Sequence, residues 1–317
     1  MDVRSSLRVL ELFSGIGGCA AALPRGAEVV GAVDQSVHAR STYASNFPSH
    51  PLHAWNLAGL KAERVRRLDA DLWWMSPPCQ PFTTRGLQRD VDDARCRPFL
   101  RIVQLIGDVN PKMVALENVP AFEGSRAHGL LLERLAEREY RVREGLLCPT
   151  ELGVPNRRCR YYLVALRSDQ PPLGRLSPTT AGWLELAQRS RRTRDDGLDN
   201  YLDPAPADDL YVDLDLVQGY RHALHIAEPG AGEPLSCFTS AYGRSMVRSG
   251  SYLQDSRGVR RFSPGEILRL LGFPDEFVFP SNLDTRKKWS LLGNSLSVDA
   301  VRAVLGCLPI TPASPGP

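Results

Sequence analysis

The 317-residue chain is short of several features that mark large protein classes. No apolar run approaches the ~20 residues of a membrane span, so an integral membrane protein is not expected. None of the seven cysteines (19, 79, 96, 148, 159, 237 and 307) is spaced Cys-x-x-Cys, which leaves a zinc ribbon unsupported. Two His-x-x-His pairs, His50/His53 and His222/His225, have no thiols near them in sequence, and no metal is expected. Charge of either sign is nearly balanced, with a net value of +3, so total charge neither demands nor excludes nucleic acid. The first apolar stretch, residues 7–13, is interrupted by Arg8 and Glu11 and is too short for a signal peptide. An odd, scattered cysteine set suits a reducing compartment, so a soluble, cytoplasmic protein is expected. Internal repeats and long low-complexity tracts are also missing.

What is present is an alternation of strands and helices. Residues 7–13 read as a buried strand, followed by the turn Ser14-Gly-Ile-Gly-Gly18 and an Ala-rich helix ending near Gly26. Residues 28–33 and 71–75 read as strands two and three, 99–109 as a helix, 113–116 as a strand, 130–139 as a helix and 160–166 as a strand. Such alternation predicts an α/β fold with a doubly wound, mostly parallel sheet. After residue 167 Pro, Gly and Asp become frequent, with a charge cluster at 189–196. We read residues 1–167 as the catalytic domain, 168–256 as a small inserted lobe and 257–317 as a return to the catalytic domain. Ser263-Pro-Gly-Glu266 has the residue order of a helix start, and a last helix is expected near Ser297.

A strand, a glycine turn and a helix make a nucleotide-binding arrangement. Asp34, after the second strand, is placed to accept hydrogen bonds from a ribose. These features alone fit NAD, FAD or S-adenosylmethionine. The spacing Phe13-x-Gly15-x-Gly17-Gly18 is not the dinucleotide G-x-G-x-x-G, which favours a smaller ligand without a pyrophosphate, with Phe13 covering an adenine or a sulfonium.

Pro77-Pro-Cys-Gln-Pro81 follows a strand at its carboxyl end, where open α/β sheets keep their sites. Three prolines stiffen the backbone around one thiol, as a nucleophile requires. Glu117-Asn118 also ends a strand, and burial there would keep its carboxyl protonated as an acid. Arg158 and Arg160 precede another strand and alternate onto one side, suited to a carbonyl oxygen or a phosphate.

Taken in order, Phe13-Ser-Gly-Ile-Gly-Gly18, Pro77-Pro-Cys-Gln80, Glu117-Asn-Val119, Asn156-Arg-Arg-Cys-Arg160 and Gly293-Asn-Ser295 resemble the motifs of cytosine-C5 methyltransferases, over about 1–167 and 257–305. The resemblance implies a Rossmann-like class I methyltransferase fold with a target-recognition lobe. It implies S-adenosyl-L-methionine as cofactor, released as S-adenosyl-L-homocysteine. Cys79 would attack C6 of a flipped cytosine, Glu117 would protonate or hydrogen-bond N3, and Arg160, helped by Arg158, would hold the O2 edge. The cofactor would lie among Phe13, Ser14, Gly15, Ile16, Gly17, Gly18, Asp34, Gln35, Pro78, Asn294 and Ser295, with Asn56 and Leu57 near the adenine.

Further stretches are similar to the tRNA-aspartate methyltransferase branch, the second DNA-methyltransferase homologue type. They include Ser76-Pro-Pro-Cys-Gln-Pro-Phe-Thr83, Thr150-Glu-Leu-Gly-Val-Pro-Asn156, and Cys237-Phe-Thr239 with Tyr242. That likeness implies a monomeric enzyme acting on an anticodon-loop cytosine of an aspartate-type or glutamate-type tRNA. Gln80, Asn118, Cys237, Phe238, Thr239 and Tyr242 would face the base. Cys237 is expected in a loop near the base rather than in direct catalysis. Arg85, Arg89, Arg95 and Arg97 form one basic loop and Arg286, Lys287 and Lys288 another, both candidates for phosphate contact. DNA as the substrate, and a nucleic-acid-binding protein without catalysis, are the competing readings. The residues around Asp34-Gln35 and Asn56 match only loosely, and 168–230 matches nothing.

Overall fold

The computed structural model describes residues 6–82, 89–170, 183, 197–230 and 232–309. Seven strands form the central sheet: β1 Arg8–Leu12, β2 Glu28–Val33, β3 Leu52–His53, β4 Leu72–Met75, β5 Met113–Asn118, β6 Tyr140–Leu147 and β7 Arg160–Arg167. Their order across the sheet is β3-β2-β1-β4-β5-β7-β6. β7 is antiparallel to both its neighbours, and the other pairings are parallel. This is the doubly wound, mostly parallel sheet that the strand and helix alternation predicts.

β4 and β5 are buried at every position because helices cover both faces of the sheet. Neighbouring residues therefore feed different cores. Trp74, Ala115 and Val164 join one apolar cluster, and Trp73, Val114 and Leu163 join the other. On the first side lie α1 (Gly18–Ala22) and α9 (Val298–Leu305); on the second lie α4 (Arg97–Val109) and α5 (Arg126–Glu137). In α4 the buried residues Phe99, Ile102, Val103 and Ile106 recur at helical spacing, and Asn110 ends the helix at φ 57°.

The chain between these elements adds α2 (Val37–Asn46), α3 (Ala62–Arg66), and, in the lobe, α6 (Leu214–Tyr220) with a second sheet of β8 (His225–Ala227), β9 (Ser251–Asp255) and β10 (Gly258–Arg261). The β9–β10 pairing runs from Tyr252↔Arg261 to Asp255↔Gly258, across the boundary expected at 256. Next come α7 (Pro264–Leu270) and α8 (Thr285–Gly293). Ser263 and Glu266 form the capping box that the sequence order predicts: Glu266 N donates to Ser263 Oγ at 3.0 Å and Ser263 N to Glu266 Oε2 at 2.7 Å. Glu266 also takes both terminal nitrogens of Arg260, at 2.9 and 2.8 Å, in a pair with almost no exposure. The small sheet is thereby fastened to α7.

Three expectations change. Arg286, Lys287 and Lys288 lie in α8, which Asp284 caps through its bond from Lys287 N, rather than in a loop. α5 begins at Arg126, capped by Ser125, and ends at Glu137 instead of spanning 130–139. α2 and β6 were not expected: α2 buries only Ala39, Thr42 and Tyr43, and β6 is an edge strand with an exposed face. Arg85 and the 189–196 charge cluster lie outside the described residues.

Candidate active site

The strand order reverses direction between β1 and β4, and a doubly wound sheet opens a crevice at the carboxyl ends of its strands at such a point. β1 ends there in the glycine turn, β4 in Ser76-Pro-Pro-Cys79 and β5 in Glu117-Asn118. Because β7 runs the other way, its first residue, Arg160, arrives at the same edge; Glu117 pairs with Tyr162 and Asn118 with Tyr161. One cleft of about 350 Å³ results, lined by Phe13, Gly15, Asp34, Cys79, Glu117 and Arg160 among others.

The nucleophile's loop is braced from two directions. Phe82 N donates to Cys79 O at 2.9 Å, closing a tight turn. Asn118 Nδ2 donates to Pro77 O at 3.3 Å, while Asn118 Oδ1 accepts from Val119 N at 2.8 Å. Asn118 lines the cleft but is spent on holding the loop to β5. Burial pushes the Cys79 thiol pKa up; Arg160 works against that and Glu117 adds to it.

Glu117 is almost wholly buried and meets Arg160 Nε at 3.3 Å. Burial raises its pKa, with Arg160 and Arg158 opposing. Arg158, 3 % exposed, donates through Nη1 to Phe238 O at 3.0 Å and to Cys237 Sγ at 3.4 Å. Its Nη2 donates to Gly293 O at 3.1 Å and to Ser295 O. Arg160 Nη2 reaches the same Cys237 sulfur at 3.6 Å, and its Nη1 donates to Cys159 O at 2.8 Å. Burial works to raise the Cys237 pKa, but the two guanidiniums outweigh it and hold the thiol below its ordinary value.

In the other half of the cleft, Phe13 and Gly15 sit at φ 56° and 55°, and Gly17 at 95°. The Phe13 value is strained for a bulky residue, as often occurs at functional turns. A Cβ at Gly15 would meet nothing within 4 Å, so its backbone is open to a ligand. Asp34 Oδ2 accepts from Gly15 N at 2.9 Å and Oδ1 from Ser36 N at 2.7 Å, tying the turn to β2. The Ser14 hydroxyl is buried with no partner among the described residues, a polar atom left for a bound molecule.

Of the expected cofactor residues, Phe13, Ser14, Gly15, Ile16, Gly18, Asp34, Gln35, Leu57, Pro78, Asn294 and Ser295 line the cleft. Gly17 does not; a Cβ there would strike the Phe47 ring at 2.5 Å, so its role is packing. Asn56 is exposed and uses its carboxamide to accept from Ala58 N at 3.1 Å. Gln80 lines the cleft, but Cys237, Phe238, Thr239 and Tyr242 do not. Phe238 and Tyr242 are buried in an aromatic cluster with Phe262 and Trp289. Thr239 Oγ1 accepts from Ala241 N at 3.3 Å. Phe238 and Tyr242 thus pack behind Arg158 and Arg160, and Cys237 lies against both guanidiniums.

Sequence reasoning passed over Glu11. It lies at 0 % exposure in β1 beneath the glycine turn, where Tyr43 OH donates to it at 2.9 Å. Burial pushes its carboxyl up to about 8. The signal was a charged residue inside an apolar strand. No three His, Cys, Asp or Glu side chains gather as a metal would need among the described residues.

Gly293 is where the two halves touch. A Cβ built on it would lie 2.1 Å from Ser240 N and from Thr239 C, both backbone atoms. Gly293→Ala should therefore lower stability by about 1–3 kcal/mol, measured by denaturant unfolding; unchanged stability would show that the segments do not abut.

The description "C-5 cytosine-specific DNA methylase" belongs to the family whose pattern matches residues 7–209 and 239–308. The tRNA (cytosine(38)-C(5))-methyltransferase of Rattus norvegicus is 33 % identical over 95 % of this chain and 99 % of its own. A DNA (cytosine-5)-methyltransferase of Dictyostelium discoideum is 28 % identical over 95 % and 94 %. The crystal structure of the S. pombe Dnmt2 methyltransferase superimposes with a TM-score of 0.84 at 29 % identity, covering 95 % of this chain and 97 % of that one. With its cleft, motif order and near full-length similarity, the chain belongs to the C-5 cytosine-specific DNA methylase family and is a cytosine-C5 methyltransferase.

Proposed function

We propose that this methyltransferase acts on a cytosine in the anticodon loop of a tRNA, with S-adenosylmethionine as methyl donor. The observation that carries the reading is the convergence of Cys79, Glu117 and Arg160 beside the glycine turn in one cleft. Similarity to a tRNA methyltransferase over nearly the whole chain supports RNA as the substrate. A loop base also costs less to extrude than a paired base, by ~a few kcal/mol. An aspartate-type or glutamate-type tRNA, a monomeric enzyme and a cytoplasmic location complete the proposal.

The cleft fits the donor by its own atoms: an orphaned Ser14 hydroxyl, an open Gly15 backbone and the Asp34 carboxylate beside them. Phe13, Ile16, Leu57 and Leu296 would supply apolar walls, and Asn294 and Ser295 the closing side. When bound, S-adenosylmethionine supplies an electrophilic methyl group and leaves as S-adenosylhomocysteine. The protein's part is to make C5 of cytosine nucleophilic. The Cys79 thiolate adds to C6, Glu117 holds a proton at N3, and Arg160 holds the O2 edge. Removal of the C5 proton then expels Cys79 and restores the ring. Arg158 acts as a positioning residue, since its terminal nitrogens are taken by carbonyl oxygens and Cys237.

A protonated Glu117 helps twice. It provides the N3 proton, and it removes a negative charge that opposes ionisation of Cys79. Burial raises both pKa values. The productive form, thiolate with protonated Glu117, thus peaks between them, giving a bell-shaped kcat/KM against pH. Glu117→Gln should lower kcat by ~10²–10⁴ and convert the bell into a curve that rises with pH through the thiol ionisation. A bell that survives in this variant would remove Glu117 from the proton's path. For the substrate, labelled S-adenosylmethionine supplied with total tRNA or with genomic DNA should deliver label to tRNA. Label in DNA alone would replace the tRNA reading with the DNA one.

A further inference from the structure

We infer that Cys148 and Cys159 form a cross-strand dithiol that closes to a disulfide under a low-molecular-weight disulfide oxidant, making a covalent modification site at the base of the segment that carries Arg158. β6 and β7 pair without a break from Tyr140↔Arg167 to Leu147↔Arg160. The ladder ends there; continuing its register by one step would set Cys148 opposite Cys159, just beyond the ends of both strands. Cys148 keeps strand geometry, with φ −113° and ψ 136°, so the chain does not turn away before the pair is reached.

Directly opposed residues of an antiparallel pair have Cα atoms ~4.5–5.5 Å apart, inside the ~4.4–6.8 Å that a disulfide needs. Their Cβ atoms, at ~4.5–5.5 Å, need to close by roughly one ångström. Both cysteines are free and partly exposed, whereas Cys19, Cys96 and Cys307 are buried. After burial, the nearness of Cys148 is the main influence raising the Cys159 pKa. Cys148 Sγ accepts from Glu151 N and Cys148 N donates to Glu151 Oε1 at 2.8 Å, so the thiol is held at the start of the turn that follows β6.

The position has consequences for the site without lying in it. Arg158 and Arg160, the neighbours of Cys159 in sequence, line the cleft, whereas Cys159 does not. The Cys159 carbonyl nevertheless accepts from Arg160 Nη1 at 2.8 Å, so a clip at Cys159 fixes one main-chain anchor of that guanidinium. The closed ring would span Pro149 to Arg158 and shorten the freedom of that segment in the unfolded chain.

One protein thiolate attacks a sulfur of the oxidant, forming a mixed disulfide and expelling one thiolate. The second protein thiolate then attacks the protein sulfur of that mixed disulfide and expels the other half. Two electrons pass from the protein sulfurs to the oxidant, and the two protons end on the released thiols.

The test uses the full chain, reduced and then incubated with graded ratios of oxidised to reduced glutathione. Remaining thiols are alkylated and peptides mapped by mass spectrometry. The expected result is a peptide pair joined through Cys148 and Cys159, lighter by two hydrogens, with a melting temperature raised by several degrees. The rise should be absent in Cys148→Ser and in Cys159→Ser. Two separately alkylated or separately glutathionylated cysteines across the whole titration would overturn the inference, as would the same melting shift in both serine variants.

Discussion

The site depends on a buried cation that has no carboxylate paired with it among the described residues. Arg158 distributes its hydrogen bonds over Phe238 O, Gly293 O, Ser295 O and Cys237 Sγ, from two segments distant in sequence. Burying a charge costs several kcal/mol unless its donors are met; Arg158 Nε is buried without a partner among the described residues, so the bonds at its two terminal nitrogens carry the compensation. Folding is therefore complete only when the lobe segment 237–239 and the closing segment 293–295 are both in place around β7. The lack of a side chain at Gly293 allows the approach, because backbone atoms of Thr239 and Ser240 already fill that space. One guanidinium thus joins the lobe to the wall of the donor pocket.

That constraint sets the chemistry of the neighbouring groups. Cys237, held between two guanidiniums, has its thiol pKa drawn below the ordinary value by them. Arg160 is left to face Glu117 across 3.3 Å. Cys79 and Glu117, in contrast, are both pushed toward their neutral forms by burial. Turnover needs a proton on the carboxyl and none on the thiol. Arg160 favours the thiolate directly but also favours the ionised carboxyl, so it helps one demand and opposes the other.

Much of this was legible in the sequence, for reasons that can be named. β1, β2 and β4 announced themselves because strands buried on both faces read as apolar runs. The Pro-Pro-Cys-Gln turn, Glu117-Asn118 and the glycine turn could be placed because parallel strands deliver their ends to one edge. Elements without such a pattern were invisible. α2 buries only three of its residues, β6 carries Arg141, Arg143 and Glu144, and α8 begins with a basic run that reads as loop. The packing of Phe238 and Tyr242 is hidden from sequence for a different reason. Pattern places these residues close to the base, but whether a side chain points at a ligand or into packing is decided by contacts from Phe262, Trp289 and the arginines. Asn56 caps its own short turn through a side-chain to backbone bond, a local geometry that sequence pattern does not reveal.

The central claim is that Cys79 bonds to the pyrimidine ring during turnover. A tRNA whose cytosines carry fluorine at C5 cannot lose a C5 proton, so the adduct should persist. With S-adenosylmethionine present, denaturing gels and peptide mapping should find the RNA attached at Cys79. Attachment at Cys237 instead, or no stable complex while unmodified tRNA is methylated under the same conditions, would contradict the account.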